Sequence, residues 1–259
     1  MATAHVHGSP IHYTARGNGP GLLLVHATGT DSATNFGHMV DSFTAWRTVI
    51  APDLAGSGQT PLGRSPLTVD LLADQVIAAA AAVTDDPVDV VGFSLGAVVA
   101  AAATAAHPDR VRRLILLCPW SRNDDPRQRL LMDLWQRLPH LDERAYREFT
   151  ALSVFSAPYL AELGAENIKA GVDLITAETG ALRQMELAAT VDIRERLARI
   201  DVPVLVVGAS YDYWIPVRHA RETHRALADS RYVELDCGHM AVFERPLEVV
   251  RLIQDFIDG

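Results

Sequence analysis

Lysine is almost missing from this chain. Lys169 is the sole one, and the other basic side chains are arginines. No run of basic residues occurs, and the formal net charge is -9. A protein of that sign repels a phosphate backbone, so nucleic acid is not expected as a partner. Cysteine is scarce too. Cys118 and Cys237 cannot build a disulfide framework, which suits a cytoplasmic protein with reduced thiols. No apolar run is long enough to span a membrane. The alanine tract at 78–82 is short and flanked by charge. The opening stretch MATAHVHGSPIHYTARG lacks an apolar core of secretory-signal length, so no leader and no membrane association are expected. Internal repeats and low-complexity linkers are absent as well.

What is there fits a soluble globular enzyme. The 259 residues are 49% hydrophobic and 21% charged, enough for one large domain with a substantial core. HVHGSPIHYTARGNGPG reads as two strands with a turn near Gly8-Ser9-Pro10. GLLLVHA is a continuous apolar run, as in a central strand, followed by a loop and a short helix around 33–44. WRTVIAPDLAGSG gives another strand and turn. SPLTVDLLADQVIAAAAAV reads as a helix, with Leu71, Leu72, Val76 and Ala79 near helical spacing. VRRLILLCP, VPVLVVGAS and SRYVELDC are further strands, and PLEVVRLIQDFI closes as an amphipathic helix. This alternation predicts the α/β class: a mostly parallel, twisted sheet with helices on both faces.

Residues 120–186 break the alternation, because no strand pattern occurs there. Leu130, Leu131, Leu134, Trp135 and Leu138 mark one face of a helix. The segment reads as a helical insertion between core segments 1–119 and 187–259, placed to form a lid. Its apolar stripes would equally serve to pack on the core.

The chemistry starts at VDVVGFSLGAVVAAAATAAHPD. Val88, Val90 and Val91 read as a buried strand, and an alanine-rich helix runs on to His107-Pro108. Ser94 lies between them, with Gly92 and Gly96 two residues to either side. A strand-to-helix turn is sharp, and glycine relieves its crowding. The helix start adds free N–H groups beside the serine. This is the context of a G-x-S-x-G nucleophile elbow, against the plain alternative of a turn that happens to hold a serine.

A serine hydroxyl needs a base to take its proton, and the base needs a third group to orient it. Of ten histidines, His239 alone follows the last strand on a loop, in ELDCGHMAVFERP. Strand C-terminal ends are where open parallel sheets bind ligands. His5 and His7 share a strand face, but no carboxylate or cysteine pattern supports a metal there. His12 belongs to the same hairpin, His107 ends a helix, and His38 falls in the helix after the first loop. His140, His219 and His224 read as exposed helical residues. Among carboxylates Asp212 is the best third member, since VPVLVVGASYDYWIP runs a buried strand into its loop. It would also serve an Asx-turn there. Asp124, Asp125 and Asp236 compete, and Asp236 is too near His239 in sequence to be preferred. The order Ser94, Asp212, His239 suits this scaffold, each member ending a different strand.

Attack on a carbonyl makes an oxyanion, which needs waiting N–H donors. The Leu95 N–H follows the nucleophile directly. Thr28, in VHATGTDS, is the second candidate, through its backbone; the hydroxyls of Thr28 and Thr30 would add contacts or cap the next helix. Over essentially its full length the chain resembles the α/β-hydrolase family. The resemblance rests on His26-Ala27-Thr28-Gly29, Asp53-Leu54-Ala55-Gly56-Ser57-Gly58, the elbow at 92–96, Gly208 through Asp212 to Pro216, and Gly238-His239. It implies a cap domain at the helical insertion and a structural role for His26 under the first loop. Within the family the chain is similar to small cofactor-free enol-lactonases, esterases and metal-free perhydrolases. Ala27 departs from the glycine usual after the first-loop histidine.

These readings predict a hydrolase of small-molecule esters, lactones or thioesters that needs no metal, nucleotide or organic cofactor. Acyl transfer, cyclisation, perhydrolysis and carbon–carbon hydrolysis use the same machinery, and a non-catalytic ligand receptor on the same fold is the reading from another class. Trp120, Trp135, Trp214 and Phe155 are the expected substrate-binding side chains, with Phe149 and Tyr159 nearby in sequence. Cys118 and Cys237 are expected to pack rather than react. A monomer or homodimer is expected.

Overall fold

A computed structural model describes residues 2–6 and 8–259. The strands are β1 (Ala2–Val6), β2 (Ser9–Gly17), β3 (Gly21–Val25), β4 (Thr48–Pro52), β5 (Val88–Phe93), β6 (Val111–Leu117), β7 (Val204–Ala209) and β8 (Ser230–Leu235). They form one sheet in the order β1-β2-β4-β3-β5-β6-β7-β8. The β1–β2 and β2–β4 pairs are antiparallel and the rest are parallel. The α/β class with a mostly parallel sheet is therefore what the chain adopts.

The helices are α1 (Ser32–Phe36), α2 (Val69–Ala81), α3 (Leu95–Ala106), α4 (Pro126–Leu141), α5 (Glu143–Val154), α6 (Ala157–Leu174), α7 (Thr179–Ala188), α8 (Arg194–Leu197), α9 (Arg218–Ala226), α10 (Ala241–Glu244) and α11 (Pro246–Asp258). Successive strand side chains point to opposite faces, so each buried strand feeds two cores. Leu23, Val25, Val90, Leu114 and Val206 join one core with α2 and α3. Leu22, Leu24, Val91, Ile115 and Val207 join the other, closed by Val249, Ile253 and Phe256 of α11. No helix among the described residues is long and apolar enough to cross a membrane.

Helices α4 to α7, and the short α8 after them, occupy the span between β6 and β7 without a strand of the sheet. The two ends of this excursion are tied together at its base. Arg122 and Asp192 form an isolated antiparallel bridge, flanked by Asn123 N–H to Val191 O (3.1 Å) and Ile193 N–H to Ser121 O (2.8 Å). Helix α7 runs on to Ala188, past residue 186.

Three expectations change. Leu130 is 67% exposed, and the covered face of α4 is Gln128, Leu131, Met132 and Trp135. His219 is fully buried, since α9 turns His219, Ala220 and Thr223 inward; His224 is half-buried and bonded to Ser230. His38 follows α1 in a turn, with Nε2 against the Val242 carbonyl (2.8 Å) and its ring stacked on Phe243. His5 is exposed, and His7, its proposed partner, lies outside the described residues.

Candidate active site

Ser94 occupies the turn between β5 and α3 with φ 55° and ψ -120°, a conformation that few non-glycine residues adopt. Two things hold it. Its N–H donates to the Leu117 carbonyl (2.9 Å), and its own carbonyl accepts from Ala97 N–H (2.8 Å) as α3 begins. The flanking glycines are needed for space. A Cβ on Gly92 would strike the Gly96 carbonyl and Ala97 Cα, and one on Gly96 would strike the Val25 and His26 carbonyl oxygens. The elbow thus brings helix α3 against β3 with backbone touching backbone.

The loops after β7 and β8 bring the other two side chains to it. His239 Nε2 lies 2.8 Å from Ser94 Oγ, and Nδ1 lies 2.7 Å from Asp212 Oδ2. All three are buried, with 4% (Ser94), 3% (His239) and 7% (Asp212) of their surface exposed. A carboxylate only accepts, so Nδ1 carries the hydrogen and Nε2 is left to accept from Ser94 Oγ–H. Asp212 also accepts from Ile215 N–H through Oδ1 (2.7 Å). The Asx-turn and the histidine contact are therefore both present, one per oxygen. The competing acids are occupied elsewhere: Asp124 pairs with Arg122, Asp125 caps α4 and pairs with Arg218, and Asp236 accepts from Ser210.

The first loop has its amides sorted. Ala27 N–H donates to Asn35 Oδ1 (2.7 Å), and Gly29 N–H donates to Gln184 Oε1 (3.0 Å). Thr28 N–H, between them, donates to no group of the described residues. Leu95 N–H, at the first position of α3, has no acceptor one turn back. His26 sits beneath. Its Nε2 accepts from Leu54 N–H (2.9 Å) and its Nδ1–H donates to the Ala27 carbonyl (2.8 Å), while burial holds its pKa below the ordinary value and keeps it neutral. The Ala27 Cβ is accommodated in a buried position, and Gly29 takes the positive φ (69°). The hydroxyl of Thr30 donates back to Ala27 O, and Asp31, not a threonine, caps α1.

A cavity of about 590 Å³ opens over Ser94, His239 and Thr28. Trp120, Trp135, Trp214 and Phe155 all line it, as does Tyr159. Phe149 does not; it packs behind Trp214, ring centroids 6.3 Å apart. Cys118, Asp212 and His239 offer donor atoms within 4.8 Å of one another, the geometry of a small metal site. The imidazole is already committed on both nitrogens, however. Burial pushes the Cys118 thiol well up, and it donates weakly to the His239 carbonyl. Cys237 is likewise buried, its pKa pushed up to about 12 by that burial. Neither cysteine has thiolate character.

Three residues of this arrangement were not singled out from sequence. Asn35 and Gln184 anchor the first loop. Glu244 accepts from Gly238 N–H (3.0 Å) and from Ser156 N–H and Oγ–H (2.7 and 2.6 Å), tying the loop before His239 to the start of α6. Gln184 reaches from α7 across to Gly29, the Ala55 carbonyl (3.1 Å) and Ser57 Oγ (2.9 Å). The one local signal was a glutamine on the apolar face made by Ala181, Met185 and Ala188.

A family described as alpha/beta hydrolase fold matches residues 20–246. Pyrrolizixenacetamide deacetylase of Xenorhabdus hominickii is 37% identical over 99% of this chain and 98% of its own. Pimeloyl-[acyl-carrier protein] methyl ester esterase of Neisseria meningitidis serogroup A is 30% identical, over 92% of this chain and 77% of its own. The enol-lactonase of Burkholderia xenovorans superposes over the full length of both chains with a TM-score of 0.87 at 23% identity, a likeness of fold.

Proposed function

Because the chain belongs to the alpha/beta hydrolase family, we propose that it hydrolyses a small-molecule acyl compound, an ester in the first instance, through Ser94, His239 and Asp212. The observation that carries this is the unbroken hydrogen-bonded line from Asp212 Oδ2 through His239 to Ser94 Oγ at the floor of a cavity. Ser94 Oγ attacks the acyl carbon as His239 Nε2 takes its proton. Thr28 and Leu95 N–H groups, unengaged among the described residues, receive the oxyanion. The carbon–oxygen bond to the leaving group then breaks, and His239 hands that oxygen the proton. Water attacks the acyl-enzyme with His239 again as base, releasing the acid and restoring Ser94. Helices α4 to α7 act as a cap over this cavity.

A second reading, deacylation of an amide, is favoured by the relative of 37% identity, whose name denotes removal of an acetyl group. It uses the same steps with an amine leaving group. The first test is intact mass after treatment with a small fluorophosphonate. Wild type is expected to gain one adduct and Ser94→Ala none. Turnover retained by purified Ser94→Ala would refute the covalent route, and stoichiometric ligand occupancy without turnover would favour a receptor.

Gln184 is expected to set the oxyanion site without touching substrate. Gln184→Leu removes the acceptor of Gly29 N–H, next to Thr28, and should lower kcat about 10- to 100-fold with KM changed less than threefold. A parallel rise in KM with kcat unchanged would assign Gln184 to binding instead.

A further inference from the structure

The cavity over Ser94 has a charge character of its own. Its walls are aromatic and aliphatic: Trp120, Trp135 and Trp214 on one side, Leu160, Ile168 and Val172 of α6 on another. Among the described residues no arginine and no lysine lines it. The one basic lining group, His239, is engaged at both nitrogens by Ser94 and Asp212. The polar side-chain groups that remain are neutral donors and acceptors, hydroxyls and indole N–H groups (that of Trp120 buried with no partner among the described residues), and two carboxylates, Asp31 and Glu178. Tyr146 stays a neutral phenol, its pKa pushed up to about 12 by burial.

The cap does not lack cations; it keeps them outside. Arg137 pairs with Asp133, Arg144 with Glu148 and Arg183 with Glu186 on exposed helix faces, while Arg147 is partly buried between α5 and α6, held by Glu143 and the Asp173 carbonyl rather than lining the cavity. Arg127 lies over the Tyr213 ring (4.1 Å) and donates to its carbonyl. A carboxylate or phosphate entering the cavity would shed its water and find no positive partner. It would also meet Asp31 and Glu178, a repulsive arrangement of the kind that sets specificity. An ammonium meets the opposite: aromatic faces and carboxylates.

We infer that this cavity selects acyl compounds that are uncharged or bear an ammonium group, and rejects those bearing a carboxylate or phosphate. The inference rests on the reading that the cavity holds the substrate of Ser94. The test compares three para-nitrophenyl esters of one chain length: the hexanoate, the adipate half-ester and the omega-trimethylammonio hexanoate. At about 0.5 M salt, which screens the surface charge, kcat/KM for the hexanoate is expected to exceed that for the adipate half-ester on the order of 100-fold. The ammonium ester is expected within tenfold of the hexanoate. A preference under tenfold for neutral over anionic ester would overturn the inference while leaving the hydrolase reading intact. A binding arm decides it without turnover. Tryptophan fluorescence of Ser94→Ala, whose cavity holds three of the four tryptophans, should respond to hexanamide and not to the monoamide of adipate, which carries its carboxylate at the far end, at equal concentration. Equal responses would overturn charge selection even if no ester were hydrolysed.

Discussion

Asp212→Asn is expected to lower kcat about 10,000-fold while the protein stays folded. The reason lies in how the two carboxylate oxygens are used. Oδ1 accepts from Ile215 N–H and Oδ2 accepts from His239 Nδ1–H. An asparagine has one acceptor and one donor end. If its oxygen keeps Ile215, its NH2 faces Nδ1. The imidazole must then carry its hydrogen on Nε2, which can no longer accept the Ser94 proton. If the amide flips, its NH2 faces Ile215 N–H, and the buried turn holds two donors against each other. The turn favours the first arrangement, so the wrong tautomer is built in. The measurement is kcat beside thermal unfolding, with fluorophosphonate adduct formation as the readout of serine activation. Activity within tenfold of wild type, in a folded protein, would remove Asp212 from the proton path and bring Asp236 back into consideration.

The hydrogen-bonded line Ser94, Asp212, His239 was legible because each member follows the end of a strand that the sequence marks, and a parallel sheet collects such ends at one edge. The helical character of α4 to α7 was legible for a related reason: that stretch lacks any strand pattern. What escaped was everything whose reason lies far along the chain. Gln184 is a glutamine on a helix until its partners at Gly29, Ala55 and Ser57 are known, 127 to 155 residues away. Glu244, the last residue of α10, carries no local signal, yet it fixes Gly238 beside His239 and Ser156 at the start of α6. His219 sits in RHARETHRA, a stretch so polar that exposure was the natural expectation. Burial of its inner face depends on what α9 packs against, and local polarity does not record that. Leu130 fails for the mirror reason, being apolar beside the covered face rather than on it.

Asp89 shows the same blindness at its most costly position. VDVV reads as an apolar strand, and the aspartate inside it is fully buried. Three arginines surround it: Arg112, which donates through Nε and Nη2, one to each carboxylate oxygen, Arg47 at 3.6 Å and Arg113 at 3.9 Å. Arg47 is itself buried and reaches on to Asp258 (3.0 Å) at the end of α11. One carboxylate thus joins β5, β6, the approach to β4 and the C-terminal helix. Removing it strands at least one buried guanidinium. Asp89→Ala is therefore expected to cost about 3–5 kcal/mol of unfolding free energy, measured by urea denaturation. Asp89→Asn keeps an acceptor for Arg112 and should cost less. Asp89 is the second residue of β5 while Ser94 follows its far end, so kcat per folded molecule should hold within about twofold. A loss of under 1 kcal/mol would mean that the arginines find water or Asp258 instead. A fall in kcat with stability intact would mean that strain at the start of β5 reaches the elbow, so that the strand transmits position as well as providing it.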